Sequence, residues 1–244
     1  MEKSQGKLSI IVHAFRHRAD LIGETQIYRL FNGFYEGIPD LVIDRYGPAL
    51  VIFNHTESSM LDGVIQEFID WVSDHLDGVD SVLLKKRQHP NEEIRNGVLI
   101  SGESLPKAVI EYGVHYALDL TMNQDASFYP DTRELRRWLR ANGAGKRVLN
   151  TFAYTGSLGV AAGASGAARV VQTDLNRQFL NLAEKSWQLN DLAQDKCEII
   201  VGDFFRVAAR LRHAEALFDI VILDPPFFST TEAGKVDLEA GTIR

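Results

Sequence analysis

The second half of the chain alternates in a way that few folds can accommodate. Short apolar runs stand at "RVLN" (147–150), "ARVVQTD" (168–174), "KCEIIVGD" (196–203) and "FDIVILD" (218–224). Between them lie the small-residue stretch "SLGVAAGASGA", a segment carrying Leu175, Phe179, Leu182, Ser186 and Leu189 along one helical face, and "FFRVAARLRH". Strand, helix, strand at this length requires βαβ crossovers, and therefore a parallel sheet covered on both faces. Ahead of the first run, Asp131 after Pro130 is expected to cap a helix, with Glu134 completing a capping box. Ligands of such sheets sit at the carboxyl ends of the strands. Asp174, Asp203 and Asp224 each close a run, so three carboxylates are expected at one edge.

The four strand ends differ in chemistry. "LNTFAYTGSLG" (149–159) carries Gly156 and Gly159, which allow either a close ligand approach or close packing of strand and helix. Only one glycine falls within the turn, so the stretch is not the G-x-G-x-x-G of pyrophosphate-binding loops. Asp174 lies where nucleotide-binding α/β folds hold ribose hydroxyls; a helix-capping role is equally compatible. Asp203 can accept from an exocyclic amine or cap a helix, and Phe204 offers a flat face. At "FDIVILDPPFF" (218–228), Pro225 and Pro226 fix two φ angles and lack N–H donors, so the Asp224 carboxylate and nearby carbonyls are held stiffly at the strand tip. One ring of Phe227 and Phe228 can stack on a flat substrate, and Phe228 is expected in the core.

The first 120 residues read as a small α+β domain, with 121–244 as the second. "DLVIDRYGPALVIFN" (40–54) gives two strands around Tyr46-Gly47-Pro48, and Leu61, Val64, Ile65, Phe68, Val72 and Leu76 share one helix face. "VDSVLLK", "GVLISG" and "AVIEYGVHYALDL" supply further strands. Residues 1–120 hold 11 Lys/Arg against 18 Asp/Glu, so all of the net charge of −7 resides there. A broad basic face for nucleic acid is thereby excluded, and a polyanion would need a local patch such as "LKKRQ" (84–88) or "RELRRWLR" (133–140). No apolar stretch reaches the ~20 residues of a membrane span, and the N-terminus lacks a signal-peptide pattern. One cysteine, Cys197, excludes an internal disulfide framework and fits the cytoplasm. The seven histidines are scattered; His13 and His17 stand four apart without a third ligand nearby, so no metal site is expected.

The array of Asn150 to Gly159, Asp174, Asp203-Phe204 and "DPPFF" resembles class I S-adenosylmethionine-dependent methyltransferases. More narrowly, "YRLFNGFYEGIPDLVIDRYG" (28–47), "SFYPDTRELRRWL" (127–139) and "NTFAYTGSLGVAAG" (150–163) are similar to bacterial large-subunit ribosomal RNA methyltransferases, the branch of cytosine-5 and guanine-N7 enzymes and their relatives. The resemblance spans residues 24 to 230 and implies a Rossmann-like sheet. It further implies S-adenosylmethionine as cofactor and an RNA base, ribosomal in origin, as acceptor. Carried over by position, Asn150 and the loop of Phe152, Tyr154, Thr155 and Gly156 would flank the methionine part of the cofactor. Asp174, with Leu175 and Asn176, would hold the ribose, and Asp203 with Phe204 the adenine. Asp224, Pro225, Pro226 and Phe227 would form the methyl-transfer site. Phe128, Asp131 and Arg133 would belong to a segment capping the pocket, where Ser127 and Thr132 depart from the usual glycine and glutamine.

Methyl transfer from a sulfonium is an in-line displacement that needs positioning and a dry site rather than a metal. Cytosine C5 requires a prior thiolate attack, whereas guanine N7 already carries a lone pair. Cys197 opens the third strand, opposite the carboxyl edge, and reads as an inert core residue; N-methylation is therefore expected over C5. The family continues past the fourth strand with three more, and "STTEAGKVDLEAGTIR" reads as a polar tail. That leaves either a fragment or an edge for a partner to cover. The small RNA-binding module often fused before such domains is not recognisable. A cofactor-binding module without activity, and an enzyme with a protein or small-molecule acceptor, stay open beside the RNA reading.

Overall fold

In the computed structural model the described residues are 2–18 and 25–243. They fall into two compact units, Met1–Gly113 with Leu118–Asp131, and Val114–Ala117 with Thr132–Arg244. By these contacts 121–131 goes with the first unit and the short strand 114–117 with the second, where the sequence suggested a single break near 120.

The first unit runs α1 (Glu2–His17), β1 (Ile27–Asn32), the one-turn α2 (Gly33–Glu36), β2 (Leu41–Tyr46), β3 (Ala49–Asn54), α3 (Asp62–His75), β4 (Ser81–Lys86), α4 (Glu92–Asn96), β5 (Val98–Ser101) and β6 (Ala108–Glu111). Its five-stranded sheet has the order β1-β2-β3-β4-β5. The β3–β4 pair alone is parallel among these neighbours, because α3 carries the chain back over the sheet between them. Tyr46 pairs with Ala49 across the expected turn, where Gly47 adopts φ 59°. Val64, Ile65, Phe68 and Val72 bury the expected face of α3 against Leu30, Ile43, Leu50 and Ile52, with Ile11 of α1 beside them.

The second unit begins with β7 (Val114–Ala117) and continues through α5 (Arg133–Asn142), β8 (Arg147–Thr151), α6 (Ser157–Ala164), β9 (Arg169–Asp174), α7 (Arg177–Leu189), β10 (Cys197–Val201), α8 (Phe204–His213), β11 (Ile220–Leu223) and three short strands, β12 (Phe228–Thr230), β13 (Lys235–Asp237) and β14 (Thr242–Ile243). The main sheet is wholly parallel with order β10-β9-β8-β11. The chain steps outward from β8 to β10, then returns to place β11 on the other side of β8. That reversal falls at β8, the usual ligand position in doubly wound sheets.

Several local expectations give way to tertiary constraints. Pro130 opens a 3-10 turn over 130–132, so α5 starts at Arg133 with Thr132 before it, and Asp131 does not cap the helix. In α7 the buried side is Leu180, Ala183, Ser186 and Trp187 with Leu182, while Leu175 and Leu189 face solvent. Leu175 precedes the cap residue Asn176, so the face counted from it was rotated by about one position. The sheet is not covered on both sides throughout: Val221 and Leu223 of β11 are exposed on the side where α8 packs against Leu149 and Val171. Residues 228–243 are not a plain polar tail; they pair as the antiparallel sheet β12-β13-β14. Phe228 is exposed, with the Lys235 ammonium 5.1 Å from its ring centre, and is no core residue.

Candidate functional site

The carboxyl edge of the parallel sheet brings four chain segments into one row. Register fixes their order: Val201 of β10 pairs with Asp174, Thr173 with Thr151, and Leu223 with Thr151 from the other side. Asp203, Asp174, Phe152 and Asp224 therefore follow one another along the edge. Cross-links tie the row together. The Gly202 amide donates to the Asp174 carbonyl at 3.0 Å, the Ala153 amide to the Thr173 carbonyl at 2.9 Å, and the Thr151 hydroxyl to the Ile222 carbonyl at 2.7 Å.

The loop after β8 is held in an unusual conformation. Phe152 and Tyr154 both adopt left-handed φ values, 49° and 50°, and Gly156 follows at 76°. For two aromatic residues this costs roughly 1–3 kcal/mol each, which surrounding contacts must offset. Part of the compensation comes from Asp174, whose Oδ2 accepts the Tyr154 amide at 2.8 Å while Oδ1 accepts the Asn176 amide at 3.0 Å. The rings are also braced: Phe152 lies 4.7 Å from Phe204 and Tyr154 packs edge-on to Phe179 at 4.6 Å. Phe179 had no signal in the sequence beyond its place on a helix.

The glycines of the loop serve packing. A Cβ on Gly156 would lie 2.3 Å from the Ala183 Cβ, and one on Gly159 would lie 2.2 Å from the Gln172 side-chain oxygen. Their bare faces point at α7 and β9, so both positions serve the close packing that the sequence allowed for them. Gly156 is needed in addition for its left-handed φ. Asn150 is equally internal: its amide donates to Gln172 at 3.2 Å beneath α6, and Thr155 is buried too.

Electrostatically Asp174 and Asp203 diverge. Burial pushes the Asp174 carboxyl above its ordinary range, against the amides of Asn176, Tyr154 and Leu175. Asp203 caps α8, its Oδ1 accepting the amides of Phe205 at 2.9 Å and Arg206 at 3.1 Å. Slight burial acts to raise it, but the Thr231 hydroxyl and those two amides hold it below the ordinary carboxylate value. Thr231, between β12 and β13, was invisible in a stretch read as tail. Asp224 and Phe227 are exposed at the tip of β11, with Pro225 and Pro226 between them. Leu175 is exposed beside Asp174, and Asn176 caps α7 by accepting the Gln178 amide at 2.8 Å.

The three residues of the expected cap separate by unit. Phe128 is buried and Asp131 exposed in the first, where the Tyr46 hydroxyl donates to the Phe128 carbonyl at 2.8 Å. Arg133 belongs to the second and lies 3.4 Å from Glu134. Cys197 stands at the amino end of β10, its sulfur 3.9 Å from the Gln172 amide, and burial pushes its thiol up to about 11. A cavity of about 290 Å³ in the first unit, lined by Thr25, Gln26, Tyr28, Arg45 and Gly78 among others, contains none of the expected site residues.

The carboxyl edge suits a nucleoside. Each Asp174 oxygen accepts a backbone amide, and the carboxylate has lone-pair capacity left for vicinal hydroxyls. Half-exposed Phe152 and Phe204 rings present apolar faces beside Asp203, whose carboxylate can accept from an amine. A family description of S-adenosylmethionine-dependent methyltransferases matches residues 70–236. Ribosomal RNA large subunit methyltransferase I of Photobacterium profundum is 31% identical over 214 residues, 86% of this chain and 53% of that protein. A ribosomal RNA large subunit methyltransferase of Deinococcus radiodurans is 30% identical over 222 residues, 87% and 53% of the two chains. The chain thus spans about half the length of these relatives. In fold it is similar to SMU.776 crystallised with SAH, at TM-score 0.84 and 23% identity over 96% of this chain and 61% of that one. With the strand order, the edge carboxylates and these sequence matches in agreement, the chain belongs to the S-adenosylmethionine-dependent methyltransferase family.

Proposed function

We propose that the protein transfers the methyl group of S-adenosylmethionine to a base of large-subunit ribosomal RNA in the cytoplasm. One observation carries this reading: Asp174, Asp203 and the strained Phe152–Gly156 loop share the carboxyl edge at the strand-order reversal, with Asp224-Pro225-Pro226-Phe227 in register beside them. Asp174 would take the ribose hydroxyls and Asp203 the adenine amine, with Phe204 against the adenine ring. When bound, the cofactor supplies an electrophilic methyl on a sulfonium. The chain's contribution is positioning: the Asp224 carboxylate and the carbonyls beside two prolines can accept N–H groups of a base, and Phe227 can cover its face. Holding the acceptor in line in this way can supply ~7–11 kcal/mol of the barrier reduction.

Nitrogen is the acceptor favoured over C5. The thiol of Cys197 is pushed up to about 11 and sits at the far end of its strand, so it is no thiolate nucleophile. C5 chemistry would need a thiolate from outside these residues.

The test is transfer of labelled methyl from S-adenosylmethionine to ribosomal RNA, followed by nuclease digestion and mass spectrometry of the nucleosides. An N-methylated base is expected, with incorporation lost in Asp224→Ala and kept in Cys197→Ser. Recovery of 5-methylcytosine would overturn the acceptor assignment. Cofactor binding without transfer to any ribosomal RNA would overturn the substrate assignment.

A further inference from the structure

One end of the first unit's sheet gathers side chains that the methyl-transfer site does not use. Register places them together. Asn32 of β1 pairs with Val42, Leu41 of β2 with Asn54, and Asn54 of β3 with Lys86 of β4. The turn after β1, the start of β2 and the ends of β3 and β4 therefore share one rim. Backbone and side-chain links confirm it: the His55 amide donates to the Asp40 carbonyl at 2.8 Å, and the Gln88 amide to the His55 carbonyl at 2.8 Å. Arg87 reaches on to the next loop, donating to the Gln124 carbonyl at 3.0 Å and to Asp125 at 2.6 Å; the Tyr129 hydroxyl donates to the other Asp125 oxygen at 3.1 Å.

Three aromatic rings on this rim face solvent. Phe34 is 70% exposed, Tyr35 81% and Tyr129 42%. Phe34 and Tyr35 stand edge to face, 5.1 Å apart, on the single turn of α2. That turn is rigidly built. Gly33 has no room for a side chain, since a Cβ would lie 1.8 Å from the Ile38 carbonyl oxygen, and Gly37 closes the turn at φ 93°. Glu36 accepts the Asn32 amide at 2.6 Å and the Arg18 guanidinium at 2.8 Å. The fold thus braces two large apolar rings in water, where they bury little and stabilise little. Cations stand on the same rim: Arg18, Lys86 and Arg87, each paired with one acid, Glu36, Asp62 and Asp125. The opposite end of the sheet carries no such exposed aromatic pair among the described residues. There the chain from the end of α3 to β4 brings Asp74, Asp77 and Asp80 close in sequence, with Arg45 donating to the Gly78 carbonyl at 3.1 Å.

We propose that this rim binds an unpaired stretch of the RNA substrate, with bases stacked on Phe34, Tyr35 and Tyr129 and phosphates drawn to Lys86 and Arg87. The inference rests on the ribosomal RNA reading above. Stacking on exposed rings tolerates any base, which suits a surface without deep pockets. Lys86 and Arg87 carry more N–H donors than their carboxylates occupy, so each can also donate to a phosphate oxygen.

The experiment uses the full chain and a fluorescein-labelled single-stranded oligoribonucleotide of about 12 nucleotides, within the site sizes of single-strand binders. Affinity is read by anisotropy, alongside calorimetry with S-adenosylmethionine. Phe34→Ala/Tyr35→Ala is expected to weaken RNA binding about tenfold or more and leave cofactor affinity and melting temperature unchanged. Phe34→Leu/Tyr35→Leu keeps apolar area but removes the stacking faces, and should lose as much. Lys86→Ala should reduce the slope of log K against log salt by about 0.7. Wild-type RNA affinity in both double variants would overturn the rim assignment while leaving the substrate reading intact. A wild-type protein that binds cofactor but no RNA would instead bring down the reading beneath it. Self-association abolished by the alanine pair, with RNA binding undisturbed, would give the rim to a second copy of the chain and likewise overturn the proposal.

Discussion

Asp174 and Asp203 close neighbouring parallel strands, yet their surroundings give them opposite burdens. Asp174 is half-buried, and desolvation outweighs the three amides aimed at it, so its charge is disfavoured. Asp203 sits at the first turn of α8, where two amides, the Thr231 hydroxyl and the helix dipole favour its charge. The same residue type at the same place in the strand–turn–helix unit is therefore a stabilising cap in one case and a desolvated carboxylate in the other. The difference marks Asp174 as the residue whose ionised form gains most when a ligand supplies donors.

Removing each carboxylate separates the two roles. Asp174→Ala is expected to weaken S-adenosylmethionine binding by about 100-fold, since two hydrogen bonds to a charged group are lost at ~1.5–3 kcal/mol each before relaxation. Calorimetric titration checks this, and a loss below fivefold would dissolve the contrast. The cofactor-free protein should melt within a few degrees of wild type, because losing two amide acceptors is offset by removing a desolvated charge.

Asp203→Ala should show the reverse balance. Losing an N-cap costs about 1 kcal/mol, or roughly 2–4 °C in a domain of this size. Cofactor affinity should fall more modestly than in the Asp174 variant, by about tenfold, since one acceptor to a neutral amine is involved. Thermal melts with and without cofactor resolve the two. An Asp203 variant that melts normally would show that α8 does not depend on its cap.

How far the site could be read in advance follows from which residues act locally. Asp174, Asp203 and Asp224 were legible because each ends an apolar run whose period and length already mark a buried parallel strand. The βαβ order was legible for the same reason. Gly156 and Gly159 were ambiguous because the atoms that forbid a Cβ, on Gln172 and Ala183, come from strands and helices far along the chain. The cap of α5 was misplaced because Pro130 spends three residues on a 3-10 turn that no spacing rule anticipates. The short strands β12 to β14 escaped because residues 228–243 are largely polar and carry no alternation, so Thr231 could not be placed beside Asp203. The rim of Phe34, Tyr35 and Tyr129 was likewise hidden, since only strand register and the Arg87–Asp125–Tyr129 hydrogen bonds join positions nearly a hundred residues apart.

The smallest effect expected is the most direct measure of the contrast, and it lies in the pH dependence of unfolding. Asp203 has a folded pKa below the unfolded carboxylate value of ~3.9, so its stabilisation is complete above that value and is lost as pH falls through the folded one. Asp174 has a folded pKa above it, so its share is complete below ~3.9 and is lost as pH rises through the folded value. The two windows lie on opposite sides of the ordinary carboxylate pKa. Urea unfolding at a series of pH values should show Asp203→Asn, which keeps a capping oxygen, somewhat less stable than wild type at neutral pH and converging with it as pH falls below ~3.9. Asp174→Asn should instead flatten the decline above ~3.9. Saturating S-adenosylmethionine should remove that decline from the wild type, because ribose hydroxyls donate to the charged form and pull the Asp174 pKa down. If cofactor leaves the upper window untouched, the ribose is not held by Asp174, and the edge must seat its nucleoside on another group.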